Sequence, residues 1–194
     1  MTYLLRAPVQ FEETIKKSRF LTQVVPLASS AEAADKIAAL STHNASHNCW
    51  AWKVGDEYRF SDDGEPSGTA GRPMLAAIEN HEFDKVLAVC TRWYGGIQLG
   101  TGGLARAYGN GVIQCLKAAP KERFVPRQRM VGHCPYSEVG QLQALLIDMD
   151  VVIENEDFNE SGCTFTIASP LEYVETCQDI LQQITSGAYS FKKL

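Results

Sequence analysis

Val86-Leu87-Ala88-Val89-Cys90 is an unbroken apolar run at the centre of a segment, Phe83 to Trp93, that reads as a single strand. A strand apolar at every position is buried on both faces, so the chain around it must supply a packing layer on each side. The stretch after this strand is equally unusual. Gly95, Gly96, Gly100, Gly102, Gly103, Gly109 and Gly111 place seven of the fifteen glycines within seventeen residues. Glycine is entropically costly to order, so such a cluster beside a buried strand implies positive φ angles or approaches too close for a side chain. A helix is expected from about Leu104 to Ala118, with Leu104, Ala107, Tyr108, Gly111, Val112 and Cys115 as its inward stripe and Pro120 ending it.

The rest of the first part is strand-rich. Phe11 to Leu27 predicts two strands around a turn near Lys16, Lys17 and Ser18, followed by a helix over Ala31 to Leu40. Asn48 to Val54 and Tyr58 to Ser61 predict a hairpin turning at Gly55-Asp56, and Pro73 to His81 a further helix. From Arg127 the order is strand, helix, hairpin, helix and a short strand near Tyr189 to Phe191, the βαββαβ order of a ferredoxin-like unit. Pro120 to Arg127, with two prolines and alternating charge, reads as a linker. The expectation is a two-domain α/β (α+β) protein, with domains 1–125 and 126–194.

Six dispersed cysteines without a C-x-x-C pair suit buried thiols in a reducing compartment. No apolar run suggests export or membrane insertion, so a soluble, cytoplasmic chain without membrane partners is expected. The net charge of -5 is uneven. Residues 1–125 carry 14 Lys or Arg against 13 Asp or Glu, a balance of +1, whereas residues 126–194 carry 4 against 10, a balance of -6. An anionic partner is therefore expected on the first part.

Three clusters can carry chemistry. The glycines between strand and helix would expose backbone N–H groups at a helix start, where the dipole favours anions. Thr101 adds a hydroxyl there, and Arg92 and Arg106 flank the loop. A tight turn with no ligand is the other reading. The run from Ser61 to Pro73 gathers Asp62, Asp63, Glu65, Ser61, Ser67, Thr69 and Arg72 in one loop. Its carboxylates could hold a cation or position a water, or could satisfy turn N–H groups. His43, His47, Asn48, Cys49, Trp50 and Trp52 form the third group. There a thiolate–imidazole pair, a metal ligand pair and a purely structural role are all open, and no metal site or cofactor is expected.

Lys17-Ser18-Arg19-Phe20, His47-Asn48-Cys49-Trp50-Ala51-Trp52, Ser61-Asp62-Asp63-Gly64-Glu65-Pro66 with Gly68-Thr69-Ala70-Gly71, and Arg92-Trp93-Tyr94-Gly95-Gly96 continuing to Leu99-Gly100-Thr101-Gly102-Gly103-Leu104 together resemble the YigZ/IMPACT family. The resemblance implies a first domain like the second domain of ribosomal protein S5 and a second like the last domain of elongation factor G. It also implies a link to translational control. The expected function is a non-enzymatic RNA- or ribosome-linked module binding a phosphate-bearing ligand. Lys17, Arg19, Arg72, Arg92 and Arg106 would meet phosphates, while Gly95, Gly96, Gly100, Thr101, Gly102 and Gly103 would supply backbone donors. A second polar site would comprise His47, Ser61, Asp62, Asp63, Glu65 and Thr69. The alternative is a magnesium-dependent enzyme acting on a small phosphorylated compound, on the pattern of the GHMP kinases.

Overall fold

The computed structural model describes residues 2–194, and the chain separates into two compact units, one ending at Phe124 and the other Val125–Leu194. The first contains strands β1 (Thr2–Leu5), β2 (Val9–Ile15) and β3 (Ser18–Pro26), helix α1 (Ala33–Leu40), strands β4 (His47–Val54) and β5 (Glu57–Ser61), and helix α2 (Gly71–Asn80). It continues with β6 (Phe83–Asp84), β7 (Val86–Trp93), helix α3 (Thr101–Ala118) and β8 (Lys121–Phe124). Five strands form an antiparallel sheet in the order β2-β3-β7-β4-β5.

The apolar run lies on β7, the middle strand, and alternation along it feeds two cores. Val86, Ala88 and Cys90 pack with Met74, Ile78, Ala107, Tyr108 and Val112 of α2 and α3. Leu87 and Val89 pack with Ala33 of α1 and with Trp52. The helices are thus the two layers that an all-apolar strand demands. All six residues expected on the inward stripe of α3 are buried, and at Gly111 an added Cβ would overlap Thr22 Oγ1, so only glycine lets the helix sit this close to β3.

Two local expectations change. The segment Phe83 to Trp93 is broken at Lys85, whose φ of 52° separates β6 from β7. The expected linker contains β8, which pairs antiparallel with β1 while β6 pairs with it parallel, giving a small sheet of order β6-β1-β8. Its alternating side chains, Lys121-Glu122-Arg123-Phe124, resemble a linker in composition but have the period of a half-exposed strand. The turn between β2 and β3 places Lys16 and Lys17 at φ 46° and 67°, the left-handed pair that a two-residue hairpin needs.

The second unit runs β9 (Arg127–Pro135), α4 (Val139–Asp148), β10 (Val152–Asn159), β11 (Gly162–Pro170), α5 (Val174–Ile184) and β12 (Lys192–Lys193). The strand order is β10-β11-β9-β12, antiparallel throughout, which is the ferredoxin-like arrangement. Its helices cover one sheet face around Met130, Leu142, Phe165, Ile167, Leu181 and Phe191. The last strand falls one residue beyond the expected Tyr189 to Phe191: Lys192 and Lys193 pair with Val131 and Met130, and Phe191 just before them is buried as core. Among the described residues no helix is long and apolar enough to cross a membrane.

Candidate functional site

The starts of β3 and β4, the ends of β5 and β7, and the N-termini of α2 and α3 meet at one end of the strands of the five-stranded sheet, where antiparallel pairing sets Arg19 against Trp93, His47 against Arg92 and Trp50 against Ser61. The loops 62–70 and 94–100 therefore face one another across the strand ends. Sequence separation had hidden this meeting.

Glu65 is the centre of the first cluster. Its side chain is nearly buried, and its Oε1 accepts hydrogen bonds from Arg92 Nη1 at 2.6 Å and from the Tyr108 hydroxyl at 2.7 Å. Arg92 is itself buried; its Nη2 donates to Ser18 Oγ at 3.2 Å, which also accepts from Gly95 N–H at 3.2 Å, while its Nε has no acceptor. Its guanidinium lies over the Phe20 and Tyr94 rings. The expectation that Arg92 reaches out to a phosphate is thus corrected: a buried ion leaves water only when paired, and Glu65 pairs it. Burial likewise pushes the Tyr108 hydroxyl pKa well above the ordinary tyrosine value, so it stays a donor.

His47 stands at the mouth of this cluster. Its Nδ1 is 2.8 Å from the Asp63 carbonyl oxygen, which cannot donate, so Nδ1 carries the proton and Nε2 faces Glu65 Oε1 at 3.9 Å. The other carboxylates hold the loop together. Asp62 Oδ1 accepts from the N–H groups of Ala70 and Gly71, and Oδ2 from that of Gly68, tying the loop to the start of α2. Asp63 Oδ2 accepts from Asn48 N–H at 2.6 Å, Ser61 Oγ accepts from Asp63 N–H, and Thr69 Oγ1 donates to the Pro66 carbonyl. These acidic groups satisfy turn N–H groups, the structural side of the two roles open in the sequence. Cys49 Sγ donates to the Asp62 carbonyl oxygen at 3.0 Å, and burial raises its pKa far from the thiolate range, so no thiolate–imidazole pair forms with His47.

The glycine loop is a second feature beside the first. Gly96 and Gly100 have φ of 82° and 75°, a region glycine enters without strain. An added Cβ at Gly95 would overlap the Lys17 carbonyl, which fixes the loop against the β2–β3 turn. Gly102 needs neither exemption: its φ is not positive, and an added Cβ would meet only Arg106 Nη1 at 3.6 Å. The strain expected there is absent. Gly100 is the N-cap of the 18-residue α3, no side chain caps it, and the first intrahelical bond runs from Leu104 N–H to the Gly100 carbonyl. The N–H groups of Thr101, Gly102 and Gly103 thus have no intrahelical acceptor.

The expected cations divide sharply. Arg106 and Lys16 line one open groove of about 650 Å³ whose apolar wall includes Ile15, Leu99, Ala107 and Ile113. Lys16, Lys17, Arg72 and Arg106 are exposed and carry no ion pair among the described residues. Arg19 is engaged, donating to both carboxylate oxygens of Glu12 at 2.7 and 3.0 Å and lying 4.5 Å over the Trp93 ring. Sequence reasoning missed Ser18, Lys16 and the hydroxyl role of Tyr108. A tyrosine on an otherwise apolar inward stripe was the available signal, since a buried phenol takes a polar partner.

Residues 16–116 match the family model described as the Impact N-terminal domain, and residues 133–188 match a domain of unknown function, DUF1949. An "IMPACT family member" of Haemophilus influenzae is 42% identical over 160 residues, covering 79% of this chain and 78% of that protein. The "IMPACT family member YvyE" of Bacillus subtilis is 33% identical over 189 residues, covering 95% of this chain and 87% of its own length. A crystal structure described as that of a hypothetical protein aligns over 100% of this chain and 97% of its own with a TM-score of 0.65 and 34% sequence identity.

Proposed function

The chain belongs to the IMPACT family, and on that footing we propose that its first unit is a non-enzymatic module that binds a phosphate-bearing partner, an RNA or a ribosome-linked RNA surface, in the service of translational control. The observation that carries this reading is the uncapped start of α3 beside Arg106, with Lys16 on the same groove. Three N–H groups without intrahelical acceptors and the helix dipole favour an anion, and several exposed cations at the rim, without ion pairs among the described residues, suit a chain of phosphates better than a single one. Lys17 and Arg72 extend the exposed charge. The implied likeness of the two domains to parts of ribosomal protein S5 and elongation factor G agrees with this reading without carrying it.

Titration of the full chain with single-stranded RNA at several salt concentrations tests it. Binding should weaken steeply with salt and show little base preference. Arg106→Ala should weaken binding and reduce the salt slope by about one phosphate contact. An unchanged slope and affinity in Arg106→Ala would remove this site from the reading.

A second reading rests on a different observation, the open Nε2 of His47 facing the Glu65 carboxylate, which is the geometry of a proton-transfer group at a site mouth. Saturable turnover of a small phosphate ester that is lost in His47→Gln, with RNA binding unaffected, would favour this enzyme over the binding module.

A further inference from the structure

β5 is the last strand of the five-stranded sheet, and its free edge is unusually sticky. The turn Gly55-Asp56 joins Val54 and Glu57 directly, and pairing continues through Trp52 with Arg59 and Trp50 with Ser61. In a two-residue antiparallel hairpin the closing pair exchanges hydrogen bonds and alternate pairs do so thereafter. Glu57, Arg59 and Ser61 therefore bond to β4, and the backbone N–H and C=O groups of Tyr58 and Phe60 point outward. No partner meets those groups among the described residues. Tyr58 and Phe60 are also exposed, at 54% and 39%. Between Glu57 and Ser61 there is no proline or covering strand to blunt the edge.

The side chains of this strand select one occupant. Glu57 and Arg59 are two residues apart, so they share the face opposite Tyr58 and Phe60, and neither has an ion pair among the described residues. That face opens on a groove of about 590 Å³ lined by Trp50 and Trp52 as well as by Glu57 and Arg59, so both charges border open space. A strand bearing one acid and one base at this spacing is complementary to itself across a two-fold axis. We propose that the chain associates with a second copy of itself through β5, the two strands pairing antiparallel with Tyr58 opposite Tyr58 of the second copy.

In this register the Tyr58 residues exchange both backbone hydrogen bonds, and Glu57 of each copy stands opposite Arg59 of the other. Centring the axis on Arg59 would instead oppose two guanidinium groups, and centring it on Phe60 would set Arg59 against Ser61 with no ion pair; cross-strand like charges are unfavourable and opposite ones favourable. The result is one continuous sheet across two copies. A five-residue strand buries little surface, so the association is weak and reversible, of the transient kind.

Covalent trapping of the full chain tests the register. All six native cysteines are buried, so Tyr58→Cys introduces the one exposed thiol. Cα atoms of a hydrogen-bonded antiparallel pair lie about 5.5 Å apart, within bridging distance. Mild oxidation should convert Tyr58→Cys to a disulfide-linked dimer at least about tenfold faster than Phe60→Cys. Adding Arg59→Glu should suppress the reaction about tenfold, and adding Glu57→Arg to that variant should restore it to within about threefold, since the swapped pair is again complementary. Melting temperatures near the parent's for these surface variants keep the comparison clean. Equal rates for Tyr58→Cys and Phe60→Cys, or failure of the charge swap to restore cross-linking, overturn the proposal and leave the edge to a strand from another chain.

Discussion

Replacing Arg92 by leucine leaves the Glu65 carboxylate buried with the Tyr108 hydroxyl as its one close donor and His47 Nε2 at 3.9 Å. Opposite charges with centres about 4 Å apart attract by about 4 kcal/mol at an effective dielectric of 20. The desolvation of two ions offsets much of that gain, so the pair itself contributes little net stability. Orphaning one member is another matter, and Arg92→Leu should cost about 3–5 kcal/mol. Glu65→Leu leaves Arg92 with Ser18 Oγ as its remaining hydrogen-bond acceptor and should cost a similar amount. In the double variant no uncompensated charge remains, and the loss should fall short of the sum of the singles by at least about 2 kcal/mol. Urea unfolding followed by tryptophan fluorescence is the assay, because Trp50, Trp52 and Trp93 all lie in the first unit and report on it alone. Losses that add to within about 0.5 kcal/mol would show that the two groups do not interact, and would undo the reasoning that withdraws Arg92 from ligand contact.

Two further outcomes concern the same region. Gly95→Ala forces a methyl into the Lys17 carbonyl and should cost about 2 kcal/mol or more, whereas Gly102→Ala makes only an ordinary van der Waals contact with Arg106 Nη1 and should be neutral or stabilise α3 by up to about 1 kcal/mol; equal melting temperatures would refute the close approach at Gly95. Burial pushes Cys90 and Cys115 from an ordinary thiol value of 9.0 up to about 12, so the native chain keeps protons that the unfolded chain releases above pH 9. That stability is complete below pH 9 and declines by about 1.4 kcal/mol per pH unit per thiol toward pH 12. Urea midpoints at pH 7.5 and pH 10 should show a decline that is shallower in Cys90→Ala, and parallel declines in parent and variant would contradict the assignment.

The parts of the fold that a periodic pattern announces were legible in the sequence: the all-apolar β7, the buried stripe of α3, and the βαββαβ order after Arg127. The small sheet was not, because β1 and β8 are four residues each and Lys121-Glu122-Arg123-Phe124 has the composition of a connector. Of the candidate site, the residue types were visible but their partners were not. Glu65 and Arg92 stand 27 positions apart and Ser18 and Arg92 74 apart, so composition could place each in a polar loop without revealing that they neutralise one another. Arg19 was lost to Glu12 in the same way. Glycine density pointed to real exemptions at Gly95, Gly96, Gly100 and Gly111, and misled at Gly102, since an exposed helix start can hold glycine without requiring it.

The pairing of Thr2 with Phe124 brings the beginning and the end of the first unit side by side. A piece of chain that closes on itself in this way can be spliced into a host between two neighbouring points without stretching host or guest. Its order along the gene is then nearly arbitrary: bridging Thr2 to Phe124 with a few flexible residues and opening the chain at an exposed turn such as Gly55-Asp56 would preserve every contact of the five-stranded sheet. For evolution, the same geometry makes this unit a cassette, free to travel between proteins of different domain composition as one block.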